Sequence, residues 1–351
     1  MKLVSVQYLR GVAAMMVVVF HALHETAGLG LGSATVHILE AGVDIFFVIS
    51  GFIMFYTTRR GMGALEFYRH RIIRIVPLYW LITSAVVALM LAAPHLLQSS
   101  RFDLPHVLAS YAFIPWPHPV HPGVMEPALA PGWTLNFEMA FYLVFGVSLL
   151  IPRRAIGLTV MMLVLVAVAA SRALGPPDGS AWGFYASGLV LEFGAGVLLG
   201  LAFERLPPLP AWLAGAVFVL GWAILLAQAG QPSPGAWRAL AWGPPALLIV
   251  AGAVLLERGR PIVTLPAAVL IGDASYSIYL SHPLILSAFA QVWRRVGLQH
   301  LPLALPLFLA AAAVAAAVTG CLIFRWLERP LGAVASRAWP HRARVQPAPA
   351  T

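Results

Sequence analysis

The chain has 351 residues, 60% of them hydrophobic and 10% charged, with a formal net charge of +9 and one cysteine, Cys321. That composition excludes an ordinary soluble domain and points to a polytopic membrane protein. It also excludes an intrachain disulfide framework or a cysteine-rich metal site; no RNA- or DNA-binding motif is visible, so the basic charge speaks of membrane topology and anionic lipid rather than nucleic acid.

Read for apolar stretches of about 20 residues, the sequence predicts an all-α bundle of about ten transmembrane helices, at 4–27, 40–58, 73–93, 132–151, 155–173, 182–203, 210–228, 238–256, 268–288 and 303–327. The first run lacks a small-residue cleavage site and reads as a retained span. The segment 94–131 between the third and fourth spans is the longest connection, and its stretch PHPVHPGVMEPALAPG is too rich in Pro and Gly for regular structure. A loop of that length is functional or loosely ordered. With the N-terminus inside, the inner segments hold Lys2, Arg59, Arg60, Arg69, Arg71, Arg74, Arg153 and Arg154 among others, against Arg101, Arg172, Arg238, Arg294 and Arg295 outside. The positive-inside rule therefore puts both termini in the cytoplasm. Residues 1–332 read as one membrane domain, and 333–351 as a basic, Pro-rich, disordered cytoplasmic tail.

The informative features are the ionisable groups inside these spans, because charge there is costly and faces protein or water. Arg10 and His21 are eleven residues apart in the first span. On a helix that spacing leaves them about 20° apart in azimuth and about 16 Å apart in height. Asp44, Glu138 and His282 fall in the outer parts of their spans, at the expected level of His21. A neutral histidine serves as a general base when a carboxylate orients its ring, a role open to Asp44 or Glu138. The alternative is that these groups only hold helices together. His21 and His24 have the spacing of a helical metal-ligand pair, but no second pair supports them and no metal is expected. The inner segment TTRRGMGALEFYRHRIIRIVPLYW crowds Arg69, Arg71 and Arg74 at the start of a span. Guanidinium forks there suit phosphate, although any basic inner loop also sets orientation.

Six stretches in order resemble the membrane acyltransferase-3 family: Arg10 with His21, GVDIFFVISGFIM at 42–54, RIIRIVPLYW at 71–80, WTLNFEMAFY at 133–142, GDASYSIYLSHP at 272–283 and FRWLERP at 324–330. The resemblance covers about residues 3–332 and is to the shorter exopolysaccharide- or O-antigen-modifying members, without an added C-terminal soluble domain. It implies transfer of an acyl group, often acetyl, from cytoplasmic acyl-CoA to a hydroxyl of an exported polysaccharide or lipid-linked oligosaccharide, by an integral protein of the bacterial inner membrane. It marks His21 as the essential histidine, with Asp44 and Glu138 as its acidic companions. Arg10, Arg71 and Arg74 are marked for the acyl donor, and Trp133, Tyr276 and His282 for substrate contacts. Met139 and Ala140 depart from the bulkier or polar neighbours expected after Glu138.

Two rivals use the same residues differently. A transporter or flippase would use the buried His, Asp and Glu for proton coupling, but the chain shows no internal repeat. A membrane glycosyltransferase would favour acidic residues in a large outer loop, and 94–131 offers only Asp103 and Glu126.

Overall fold

The computed structural model describes residues 3–32, 35–93, 101–177 and 179–339, and among these every regular element is helical. Chain order gives α1 (Val4–Gly28), α2 (Gly42–Thr58), α3 (Ala64–Ala92), α4 (Leu104–Tyr111), α5 (Gly132–Ser148), α6 (Arg154–Ala170), α7 (Ala181–Tyr185) and α8 (Leu189–Arg205). Then follow α9 (Ala211–Leu226), α10 (Arg238–Ala241), α11 (Gly243–Gly259), α12 (Pro266–Asp273), α13 (Ser275–Val296), α14 (Ala304–Ile323) and α15 (Arg329–Ala338). Among the described residues six segments are long and apolar enough to cross a membrane: Val4–Gly28, His37–Thr58, Ala64–Ala92, Arg154–Leu174, Gly235–Gly259 and Ala304–Ala338. Large apolar side chains such as Leu143, Leu163, Val219 and Val314 stand exposed on the outer helix faces. Apolar exterior of this extent is what a lipid-facing surface requires, and the chain is a multi-pass membrane protein.

Three predicted spans are interrupted, and one of them, 238–256, passes from α10 to α11 at Trp242. The stretch 182–203 leaves the helix at Ala186 and resumes at Leu189, where the Ser187 hydroxyl accepts the Leu189 N–H at 3.3 Å. The stretch 268–288 breaks at Ala274 and the second piece runs on to Val296. In the segment 94–131, residues 94–100 lie outside the described residues. The remainder contains α4, capped by Asp103 accepting from the His106 N–H at 2.9 Å. Its later part is pinned by His106 Nε2 on the Glu126 carbonyl at 2.8 Å. Of the expected tail, 333–338 continue α15, whose end takes two Arg69 bonds at the Ser336 and Trp339 carbonyls. Residues 340–351 lie outside the described residues.

α1 sits among α2, α11, α12, α13 and α14. Leu3 cannot cap it, so Glu257 of α11 does. Its carboxylate accepts the Val4 and Ser5 N–H groups at 2.8 Å each, satisfying two of the orphan donors of a helix start. α2 packs on α8 with the backbones in contact. A Cβ on Gly51 would lie 2.0 Å from the Phe193 carbonyl oxygen, and one on Gly196 would lie 2.1 Å from that of Val48. Both are close-approach glycines, as membrane helix pairs favour. α12 meets α1 the same way, since a Cβ on Gly272 would be 2.0 Å from the Gln7 oxygen.

Gly196→Ala therefore drives a methyl into backbone that cannot yield, and overpacking of this kind costs about 1–3 kcal/mol or more. Thermal denaturation of purified protein in detergent is expected to show a clear drop for this variant. Gly215→Ala, with open space around its Cβ, is expected to match the wild type; equal stability of both variants would contradict the close contact.

Candidate active site

The site begins with a proline. Pro283 lies inside α13 and has no N–H to give the Tyr279 carbonyl four residues back. His282 fills that vacancy, its Nδ1–H donating to the Tyr279 oxygen at 2.6 Å. The ring is thereby fixed as the Nδ1–H tautomer, and its bare Nε2 lies 3.3 Å from Nδ1 of His21. His21 Nδ1 also lies 2.9 Å from the Val17 carbonyl. Nδ1 therefore carries the His21 proton and donates to both acceptors, which leaves His21 Nε2 with a free lone pair. That is the protonation pattern of a general base. His282 is fully buried and His21 partly so.

The orienting partner is thus a second imidazole and a backbone carbonyl, where the sequence suggested a carboxylate. Asp44 is fully buried in the first turn of α2 and is held by Arg238, whose Nη2 donates to Oδ2 at 2.8 Å and whose Nε reaches both oxygens. Arg238 also pairs with Glu40 at 3.1 Å. Glu192 of α8 is buried beside the same group, within the electrostatic reach of both Asp44 and Arg238. Glu138 accepts from the Ser50 hydroxyl at 3.0 Å and from Tyr142. Ser50 is six residues beyond Asp44, about 9 Å further along α2. The four groups expected at one level therefore separate: His21 meets His282, Asp44 meets Arg238, and Glu138 lies deeper.

Glu138 lines a cavity of about 450 Å³ with Arg10, Ser50, Arg71, Arg74 and Tyr276. This volume falls within the range of about 300–1,000 Å³ usual for small-ligand sites. It runs from the end of the bundle where α1 starts and α2 finishes (Leu3, Tyr56, Thr57) to the starts of α2 and α5 (Val43, Thr134). Phe46 and Tyr279, their rings 5.9 Å apart, both line it. The Tyr279 hydroxyl is 3.0 Å from Thr134 Oγ1, and His282 follows Tyr279 by three residues. His21 does not line the cavity; it meets His282, one turn past Tyr279.

The three arginines differ. Arg74 is paired with Glu328, whose other oxygen accepts from the Ser277 hydroxyl at 2.5 Å. Arg71 lies over the Phe67 and Tyr142 rings at about 6 Å, and its Nε is buried with no hydrogen-bond partner. Among the described residues Arg10 makes no hydrogen bond or salt bridge. Two guanidinium groups thus face the cavity with donors to spare. Tyr276 lines the same cavity and donates to the Ile75 carbonyl at 2.7 Å. Trp133 does not; it belongs to a separate pocket of about 290 Å³ with Glu126 and Arg172.

Glu192, a carboxylate inside the apolar run GLVLEFGAGVLLG, carries the same sequence signal as Asp44 and joins the site only in the structure. Arg238 reads in sequence as an outer-loop charge, and nothing local marks it as the partner of Asp44. Ser50, Thr134 and Tyr142 carried no signal of their own.

The acyltransferase-3 family, described as an acyltransferase domain, matches residues 3–326. The exopolysaccharide production protein ExoZ of Rhizobium meliloti (strain 1021) is 40% identical over 294 residues, covering 83% of this chain and 89% of that protein. The acyltransferase MdmB of Streptomyces mycarofaciens is 27% identical, covering 99% of this chain and 96% of that protein. No solved structure matches. The chain belongs to the acyltransferase-3 family and is an acyltransferase, which selects the acyl-transfer reading over transport and glycosyl transfer.

Removing one partner of a buried ion pair costs about 3–5 kcal/mol, because the other charge stays buried. Arg238→Ala is expected to lower the thermal stability of the purified protein by that order and to reduce its accumulation in membranes. Asp44→Asn is expected to destabilise as well. An Asp44→Asn protein of wild-type stability that has lost acyl transfer would return Asp44 to the chemistry.

Proposed function

We propose that this acyltransferase is an O-acyltransferase of the bacterial inner membrane. Its acyl donor is cytoplasmic acyl-CoA, acetyl-CoA in the simplest case. Its acceptor is a hydroxyl of an exopolysaccharide or a lipid-linked precursor outside. Cytoplasmic termini and about ten spans belong to the same reading. They put Arg10 and Arg71 on the donor side and His21 on the acceptor side. The observation that carries the proposal is the His21 ring, held by Val17 and His282 with Nε2 bare, beyond a cavity that two uncommitted arginines line.

The anionic part of the donor binds Arg71 and Arg10. Arg74, already neutralised by Glu328, shapes the wall. The pantetheine arm lies along the cavity, and its thioester passes Phe46 and Tyr279 to reach His21. His21 Nε2 takes the proton of the sugar hydroxyl as that oxygen attacks the thioester carbonyl. The ester C–O bond forms, the C–S bond breaks, and the departing thiolate takes the proton from His21. Exopolysaccharide as acceptor draws on the name of the Rhizobium relative.

General-base catalysis contributes about 10²–10⁴-fold. His21→Ala is expected to lose transfer of labelled acetyl from acetyl-CoA to polysaccharide by that factor while still inserting in the membrane. Transfer at the wild-type rate would sink the mechanism. Arg71→Ala is expected to raise KM for acetyl-CoA about tenfold, the loss of one charge-assisted contact. An unchanged donor KM, or an equal rise for the acceptor, would remove Arg71 from the donor site.

A further inference from the structure

The start of α5 separates two spaces. Thr134 faces the donor cavity, while its neighbour Trp133 faces the pocket of about 290 Å³, close to the lower bound of about 300 Å³ for small-ligand sites. That second pocket is assembled from three stretches distant in sequence. The pinned end of the 94–131 loop gives Gly123, Val124, Met125 and Glu126; α5 gives Trp133; and residues 172–184 give Arg172, Gly179, Gly183 and Phe184. It is therefore a product of the fold.

Its aromatic members are held in place. Phe184 stacks on Phe137 at 4.4 Å between centroids, and Trp133 meets the same ring edge-on at 6.1 Å. Glu126 is positioned by its own backbone, whose carbonyl accepts from His106. Its carboxylate makes no hydrogen bond or salt bridge among the described residues, and neither does the Arg172 guanidinium. Burial pushes the Glu126 carboxyl above the ordinary carboxylate range, with His121 opposing. Two opposite charges thus line one pocket without pairing, beside two aromatic rings. Gly123 and Gly179 have open space where a Cβ would stand.

An aromatic face with negative quadrupole charge accepts the polarised C–H groups of a pyranose ring. A carboxylate and a guanidinium together match the donors and acceptors of its hydroxyls. We infer that this pocket is a sugar-binding subsite, holding a hexose unit of the acceptor polysaccharide other than the one that is acylated. It connects to the chemistry through one wall: Thr134, next to Trp133, bonds Tyr279, whose carbonyl holds His282 against His21. The inference rests on the proposed function in taking the acceptor to be a glycan.

Its test uses chemically de-O-acylated exopolysaccharide from the producing cells, with the full-length protein in lipid nanodiscs. In a binding assay on the immobilised polysaccharide, wild type and His21→Ala are expected to be retained equally, and Trp133→Ala and Glu126→Gln to be released. In transfer assays the two pocket variants are expected to raise KM for the polysaccharide about tenfold and to leave KM for acetyl-CoA within about twofold. Trp133→Phe, which keeps a stacking face, is expected to retain most affinity and to exclude a folding defect. Failure of wild type to bind, unchanged acceptor KM in both variants, or a rise in donor KM alone would overturn the subsite. Binding that survives in His21→Ala together with undiminished acyl transfer would overturn the proposed mechanism and leave the subsite standing.

Discussion

A charged side chain among hydrocarbon must find a partner, and the arrangement of this bundle follows from how that demand is met. Glu328 closes on Arg74 and takes Ser277 with its second oxygen. Asp44 and Glu40 close on Arg238. Glu257 meets the first N–H groups of α1, which are the positive end of a helix dipole. Each of these ties an early helix to one from the second half of the chain. Arg10 and Arg71 remain outside the scheme and face the cavity. Among the described residues Arg10 has only the field of Glu328, Glu138 and Asp273 to offset its charge, and Arg71 lies over the Phe67 and Tyr142 rings.

The histidine pair illustrates how a backbone defect sets the tautomer of a side chain. A proline in a helix leaves a carbonyl without its donor, and in an apolar bundle that carbonyl has no water to turn to. His282 supplies the missing donor and so loses its freedom to choose a tautomer. The next ring inherits the choice: His21 must present Nδ1–H to the bare Nε2 of His282. A carboxylate in place of His282 would hold His21 equally well and would also favour its protonated form. A neutral imidazole gives orientation with less charge to bury.

Much of the site was legible in one dimension. Arg10, His21, Asp44, Glu138 and His282 stand out because ionisable residues in apolar runs are few, and helical spacing places Arg10 and His21 on one stripe. The pairings were not legible. Asp44 with Arg238 spans 194 residues and Arg74 with Glu328 spans 254. Such partners depend on which helices are neighbours around the bundle, which hydropathy does not encode. Depth is not encoded by residue count either. Counting residues from the start of each span put Glu138 level with His21, but α5 meets α2 at Ser50, well along that helix. The spans interrupted at Ala186, Trp242 and Ala274 escaped notice because an apolar run reads the same whether or not its helix is continuous.

Backbone contacts set the depths that side chains then use. α1 and the α12–α13 pair run in the same direction, touching where Gln7 and Gly11 meet Gly272 and again at His21 with His282. From Gly11 to His21 and from Gly272 to His282 the chain advances ten residues in each case, so the two helices stay in register over about 15 Å. The Gly272 contact therefore fixes the height at which the two rings meet. α2 and α8 are also parallel, since Gly51 meets Gly196 while Asp44 and Glu192 share a level one to two turns earlier. Ser50, next to Gly51, then stands at a height dictated by that crossing, and Glu138 with it. A side chain at any of these glycines would shift a whole helix along its neighbour, which is why the small residues govern the site although none of them touches it.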